Sequence, residues 1–173
     1  MLTQAEIDAL ISCSKVVTTA MKREHKDEHK HLRNGFELAS EIGEHRFVCF
    51  TRILKRFPEN FSIGLDYLSP TGGRLTLLRC NGDHGIHQNF VRDGNSFSGY
   101  HVHLATEEAT SEDCSVENFA VQTSAYASFE EALYHFLGLV NVKERIRHFP
   151  TICGQMSLLE KAGVNTDELL GDP

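Results

Sequence analysis

Residues 61–80, FSIGLDYLSPTGGRLTLLRC, read as two antiparallel strands joined by a tight turn. Phe61, Ile63, Leu65 and Tyr67 recur at every second position, the period of a strand with one apolar face. Ser69-Pro70-Thr71-Gly72-Gly73 follows, where proline presets one turn dihedral and glycine accepts a reversal. Arg74 to Arg79 or Cys80 is the returning strand. A strict alternation there puts Leu75, Leu77 and Arg79 on one face and Thr76, Leu78 and Cys80 on the other.

The period of two extends backward from this hairpin. Leu32, Asn34, Phe36, Leu38 and Ser40 alternate with Arg33, Gly35, Glu37, Ala39 and Glu41. After a turn at Ile42-Gly43-Glu44, residues 45–53 form a second strand, with Arg46, Val48, Phe50 and Arg52 sharing a face. Pro58, within LKRFPEN (54–60), is expected to interrupt the chain. Thr3-Gln4-Ala5-Glu6 is a capping-box pattern, and Ile7, Leu10 and Ile11 follow at helical spacing, so a short helix is expected over about 4–12. Residues 14–31 begin β-branched and turn highly charged, and the Lys22–Lys30 tract reads as a solvated helical turn or a loop.

Forward of the hairpin, a glycine-rich loop (81–99) leads to a fifth strand at about 100–105. An acidic connection (106–118) and a short segment (119–123) follow. Ser128 with Glu131 marks a helix start, and Phe129, Leu133, Phe136, Leu137 and Val140 carry a helical stripe to about 141. The whole reads as an α+β domain, residues 1–142. About five meandering antiparallel strands follow a short N-terminal helix, and a C-terminal helix covers one sheet face. Residues 143–173 read as a helical extension with one or two short helices.

At 173 residues, 40% hydrophobic and 24% charged, the chain has an ordinary globular composition. A domain this size buries roughly 70% of its unfolded surface and needs no staples. No apolar run approaches the roughly 20 residues of a membrane span, and MLTQAEIDALIS lacks the basic start of a signal peptide. The expectation is a cytoplasmic protein without membrane partners. Five widely spaced cysteines with no C-x-x-C argue against a disulfide scaffold or zinc knuckle. Net charge is −7, unevenly spread: residues 1–60 carry ten Lys/Arg against nine Asp/Glu, and residues 61–173 carry seven against fifteen. A basic nucleic-acid face could come only from the first third. The acidic Asp93–Glu131 stretch is a solvated face or a surface for a basic partner.

The chemistry-bearing residues gather in 79–108. His84, His87, His101 and His103 lie within twenty residues, beside Arg79, Asn81, Asp83, Glu107 and Glu108. His101 and His103, two apart on a strand, project to one face, and Arg79 comes within reach if the fourth and fifth strands are neighbours. Three readings follow. His101 and His103 with His84 or His87 could bind a divalent metal, completed by Glu107, Glu108 or Asp83. The histidines and Arg79 could instead cleave a phosphodiester without metal, one histidine as base, another as acid. In the third, they only hydrogen-bond within a polar sheet face. Histidines 25 and 29 have a helical metal spacing but no apolar stripe beside them. Cys80 is expected to be a small buried hydrophobe, and Tyr100 and Tyr126 aromatics at the core edge.

The runs FPENFSIGL (57–65), LLRCNGDHG (77–85) and HVHLATEE (101–108), with LTQAEIDALIS and YASFEEAL (126–133), resemble an uncharacterised family of small bacterial proteins over residues 1 to about 142. That likeness implies a fold and no activity. Arg79-x-Asn81, then His84, then the H-x-H strand are also similar to the Arg-x-Asp-Asn…His…H-x-H arrangement of TumE-type toxins, with Asn81 where that pattern has an acid. This second likeness implies a ribonuclease of a toxin–antitoxin pair, acting through Arg79, His84, His101 and His103. His87, Asn81, Glu107 and Glu108 are the expected binding residues. No cofactor is expected, with a divalent metal as the exception. The expected partner is RNA or a protein: an antitoxin, or a defence nuclease if the chain is instead a non-enzymatic acidic inhibitor.

Overall fold

The computed structural model describes residues 2–88, 96–107 and 120–161. An eight-stranded antiparallel sheet carries helices on one face. In chain order the elements are α1 (Gln4–Ser12), β1 (Lys15–Thr19), β2 (Lys26–Glu28), β3 (His31–Ser40), β4 (Arg46–Leu54), β5 (Phe57–Leu68), β6 (Arg74–Asn81), β7 (His87–Gln88), β8 (Ser96–Phe97), β9 (His101–Leu104), β10 (Ala120–Gln122), α2 (Phe129–Leu139), α3 (Arg145–His148) and α4 (Pro150–Lys161). The sheet order is β1-β3-β4-β5-β6-β9-β10. β1 pairs with residues 37–40 of β3 and β2 with residues 31–33, so both lie along β3's outer edge. β7 and β8 form a separate small hairpin.

The α+β class and its antiparallel meander are as the alternation implied, but the expected five strands are too few. β1, β2 and β10 are short, exposed edge segments whose pairing comes from a neighbour's ladder, so they carry little periodic signal. The charged 22–30 tract is accordingly a strand at Lys26–Glu28, neither a helical turn nor a plain loop. Pro58 breaks nothing: β4 ends at Leu54, only Lys55 and Arg56 turn the chain, and Pro58 sits at the start of β5, where proline is tolerated.

The β5–β6 hairpin closes through Gly72 and Gly73, both at positive φ (87° and 106°) that a side chain would resist. A bulge interrupts its ladder between Leu65 and Asp66: Asp66 pairs with Thr76 and Leu65 with Leu78, leaving Leu77 extra. Leu77 and Leu78 are both fully buried. The extra residue reverses the alternation, so Arg79 shares a face with Thr76 and not with Leu75 and Leu77.

One face of the sheet packs the core. Phe36, Phe47, Phe61, Ile63, Leu65 and Cys80 meet Ile7 and Leu10 of α1 and Ala132, Leu133, Phe136 and Leu137 of α2. Phe149 and Cys153 join the same core from the C-terminal helices, and the rings of Phe36 and Phe149 lie 5.0 Å apart. The capping box at α1 forms as read: Thr3 accepts from the Glu6 amide and the Glu6 carboxylate accepts from the Thr3 amide. Lys15, fully buried, donates to the carbonyls of Ile11, Cys13 and Val140, where α1 and α2 end. Its ammonium supplies the donors those helix ends lack, and burial lowers its pKa.

Candidate functional site

The opposite face of the sheet carries two rows of cross-strand partners. One runs Arg33, Arg52, Ser62, Asn81, His101 across β3, β4, β5, β6 and β9. The other runs Gly35, Phe50, Gly64, Arg79, His103 across the same strands. The register therefore sets Asn81 opposite His101 and Arg79 opposite His103. At a strand spacing of about 4.8 Å, each pair is within side-chain reach.

His101 and His103 are buried, at 0% and 1% exposure, and so is Asn81 at 2%. His84, on the exposed loop after β6, folds back over them. The three imidazoles stack edge to face, with centroids 4.7 Å apart for His84–His101 and 5.0 Å for His101–His103. Phe97 of β8 closes on His101 at 5.6 Å.

The hydrogen bonds assign the central tautomer. His101 Nδ1 lies 2.8 Å from the Gly99 carbonyl, which can only accept, so Nδ1 carries the proton. In the neutral ring Nε2 is then an acceptor. It receives Asn81 Nδ2 at 3.2 Å and His84 Nε2 at 3.1 Å. His84 thus donates through Nε2, and its Nδ1 is the basic nitrogen. Asn81 Oδ1, oriented by the same logic, is buried and has no hydrogen-bond partner.

From the core side, the Tyr126 hydroxyl sits 2.8 Å from the His101 carbonyl and 3.2 Å from that of Asn81, clamping β6 to β9 behind the histidines. Tyr126 is buried, and burial raises its hydroxyl far above the ordinary phenol range. Cys80 is fully buried beside it, its thiol pushed up to about 12 by burial, so it behaves as the small hydrophobe expected.

In front of the histidines lies a cavity of about 390 Å³ lined by Arg52, Asn60, Ser62, Arg79, Asn81, His84 and His103. Two guanidiniums and two imidazoles surround it, and no carboxylate lines it among the described residues. The nearest buried acid on this face, Asp66, is already held by Arg74 and by Thr76 at 2.6 Å. Such a lining suits an anion, and a phosphate above all. A larger cavity, about 550 Å³, lies between α1 and the β3–β4 turn, but Leu2, Ala9, Leu10, Ile42 and Tyr67 make it mainly apolar.

The structure gathers Arg79, Asn81, His84, His101 and His103 into one site. Glu107 is elsewhere: it meets the start of α1, where its carboxylate accepts from the Gln4 amide at 3.3 Å. Asp83 is exposed and accepts from the Gly85 amide. His87 begins β7, and Glu108 lies outside the described residues, as does much of the acidic stretch from Asp93 to Glu131. No group of three His, Cys, Asp or Glu is placed to hold a metal among the described residues. Among the described residues, no helix is long and apolar enough to cross a membrane. Arg52, Asn60 and Ser62 are lining residues that motif reading missed, since each comes from another strand. The alternation that places Arg52 beside Phe50 was the available signal.

Fold and site together define an α+β protein with helices on one face of an antiparallel sheet and a cationic pocket on the other. Residues 2–142 match a family of unknown function (DUF6978), and the chain belongs to that family. No curated protein and no solved structure matches the chain. These comparisons lend no support to the looser likeness to TumE-type toxins.

Proposed function

We propose that this protein cleaves RNA without a bound metal, at the pocket between Arg52, Arg79, His84 and His103. The supporting observation is the lining itself: two guanidiniums and two imidazoles around one cavity, with no carboxylate among its described residues. His84 Nδ1 takes the proton of a ribose 2′-hydroxyl. The 2′-oxygen attacks phosphorus, the bond to the 5′-oxygen breaks, and His103 protonates that leaving oxygen. The products are a 2′,3′-cyclic phosphate and a free 5′-hydroxyl. Arg79 and Arg52 stabilise the charge that builds on the phosphoryl oxygens. His101 does not line the cavity. It is a positioning residue that holds His84 in the basic tautomer, and Asn81 orients it in turn.

Purified protein incubated with single-stranded RNA tests this. His84→Ala and His103→Asn are each expected to slow cleavage by about 10²–10⁴-fold with the fold intact by circular dichroism. EDTA is expected to leave the wild-type rate unchanged, and mass spectrometry to find cyclic phosphate ends. Variants that cut as fast as wild type would overturn the assignment.

One observation favours a second reading. His84 Nε2 and His101 Nε2, 3.1 Å apart, could share a divalent cation in place of a proton, with Asn81 Oδ1 as an oxygen ligand. This reading ranks second because its third ligand is a neutral amide that must first turn over, since Nδ2 and not Oδ1 of Asn81 faces His101. It requires about one equivalent of zinc or manganese in elemental analysis, lost in His84→Ala, and a rate abolished by EDTA.

A further inference from the structure

The row of partners that ends at Arg79 and His103 contains an aromatic ring on a polar face. Phe50 points to the side of the sheet away from the core and belongs to no part of the core cluster. Its ring fills the space above Gly64: a Cβ at residue 64 would lie 2.3 Å from both Cε1 and Cζ of Phe50. Glycine at 64 therefore lets the ring lie down across β5, one strand from Arg79. Phe50 stays half-buried, with no ring neighbour among the described residues. Arg52 and Arg33, cross-strand partners of each other, form the neighbouring row on one side of it, and Val48 with Glu37 forms the row on the other. Arg33 also meets Glu28 at 3.2 Å, an exposed pair that is weak in water and open to exchange.

A phenyl ring supported from below, beside a line of guanidiniums that leads into an anion pocket, is the arrangement that holds unpaired bases and their backbone. A duplex hides its base faces and has no use for the ring. We propose that this face of the sheet, at Phe50, binds single-stranded RNA, with one base stacked on Phe50 and a backbone phosphate on Arg33. The strand then presents the adjoining phosphate to the pocket. The inference rests on the reading of that pocket as a phosphodiester site and names how its substrate is selected.

The test is fluorescence anisotropy with a labelled mixed-sequence 2′-O-methyl oligonucleotide, which lacks the attacking hydroxyl and survives the assay. Phe50→Ala and Phe50→Leu are both expected to weaken binding at least about 5-fold, because leucine fills space but offers no π-face. Phe50→Tyr is expected to bind within about twofold of wild type. Arg33→Gln is expected to reduce the salt slope of log K by about 1. The same sequence as a duplex is expected to bind more weakly.

Unchanged affinity in both Phe50→Ala and Phe50→Leu, or a duplex bound as tightly as the single strand, would overturn the inference. Its failure is separable from that of the cleavage reading. If the 2′-O-methyl strand depends on Phe50 but ribose RNA is not cut, the surface stands and the chemistry falls. If ribose RNA is cut and Phe50→Ala leaves KM unchanged, the chemistry stands and the surface falls.

Discussion

Two residues show how differently a polar group can be used in this fold. His101 is fully buried, yet each ring nitrogen has a partner, and its Nε2 faces the donor nitrogens of Asn81 and His84. Lys15 is equally buried and serves only structure, bridging three carbonyls where α1 and α2 end while its ammonium lies 4.9 Å over the Phe47 ring. Lys15→Met keeps the stem's apolar packing but strands those carbonyls away from water. The variant is expected to lose about 3 kcal/mol of stability, close to 10 °C in Tm for a chain of this size. Urea and thermal unfolding read this directly, and a Tm within a degree of wild type would refute the bridging role. A buried lysine cannot be told from an exposed one by local pattern. Lys15 opens a β-branched run, and only the meeting of two helix ends makes its charge useful.

At the scale of elements, the β5–β6 bulge decides which residues reach the site. Strict alternation puts Arg79 beside Leu75 and Leu77. The extra residue returns Leu78 to the core and turns Arg79 outward, opposite His103. β9 needed no such correction, because its four residues alternate without interruption, and His101 and His103 share the face their spacing implied.

The helix that backs the sheet carries a pH dependence. His135 on α2 is half-buried against Tyr126, and burial lowers its pKa. The unfolded chain then binds its proton first as pH falls below about 6.5, so stability drops from there towards the folded-state pKa. His31 is shifted the same way, by desolvation first and then by Arg52, Arg33 and Lys30. The loss on moving from pH 7.5 to 5.5 is therefore expected to be smaller in His135→Gln than in wild type. Urea midpoints at both pH values measure it, and an identical loss in the two proteins would remove His135 from the account.

Over the whole molecule, the family match stops at residue 142 but the packed unit does not. Phe149, Cys153 and Met156 are buried, and Lys143 donates its amide to the Lys15 carbonyl at 2.8 Å. Phe149→Ala is expected to cost about 3–5 kcal/mol, as for a core phenylalanine. A Tm shift under about 2 °C would show the C-terminal helices to be an appendage. What the amino-acid pattern determined alone is the α+β class, the β3–β6 meander, the caps of α1 and α2, and the shared face of His101 and His103. Each of these is local, written in a period of two, a turn or a capping spacing. Tertiary structure alone decided the edge strands β1, β2 and β10, the bulge that turns Arg79 outward, and the entry of Arg52, Asn60 and Ser62 into the pocket. It also set Phe50 on Gly64. These depend on which strand lies beside which and in what register, a property of the assembled ladder that no single segment encodes.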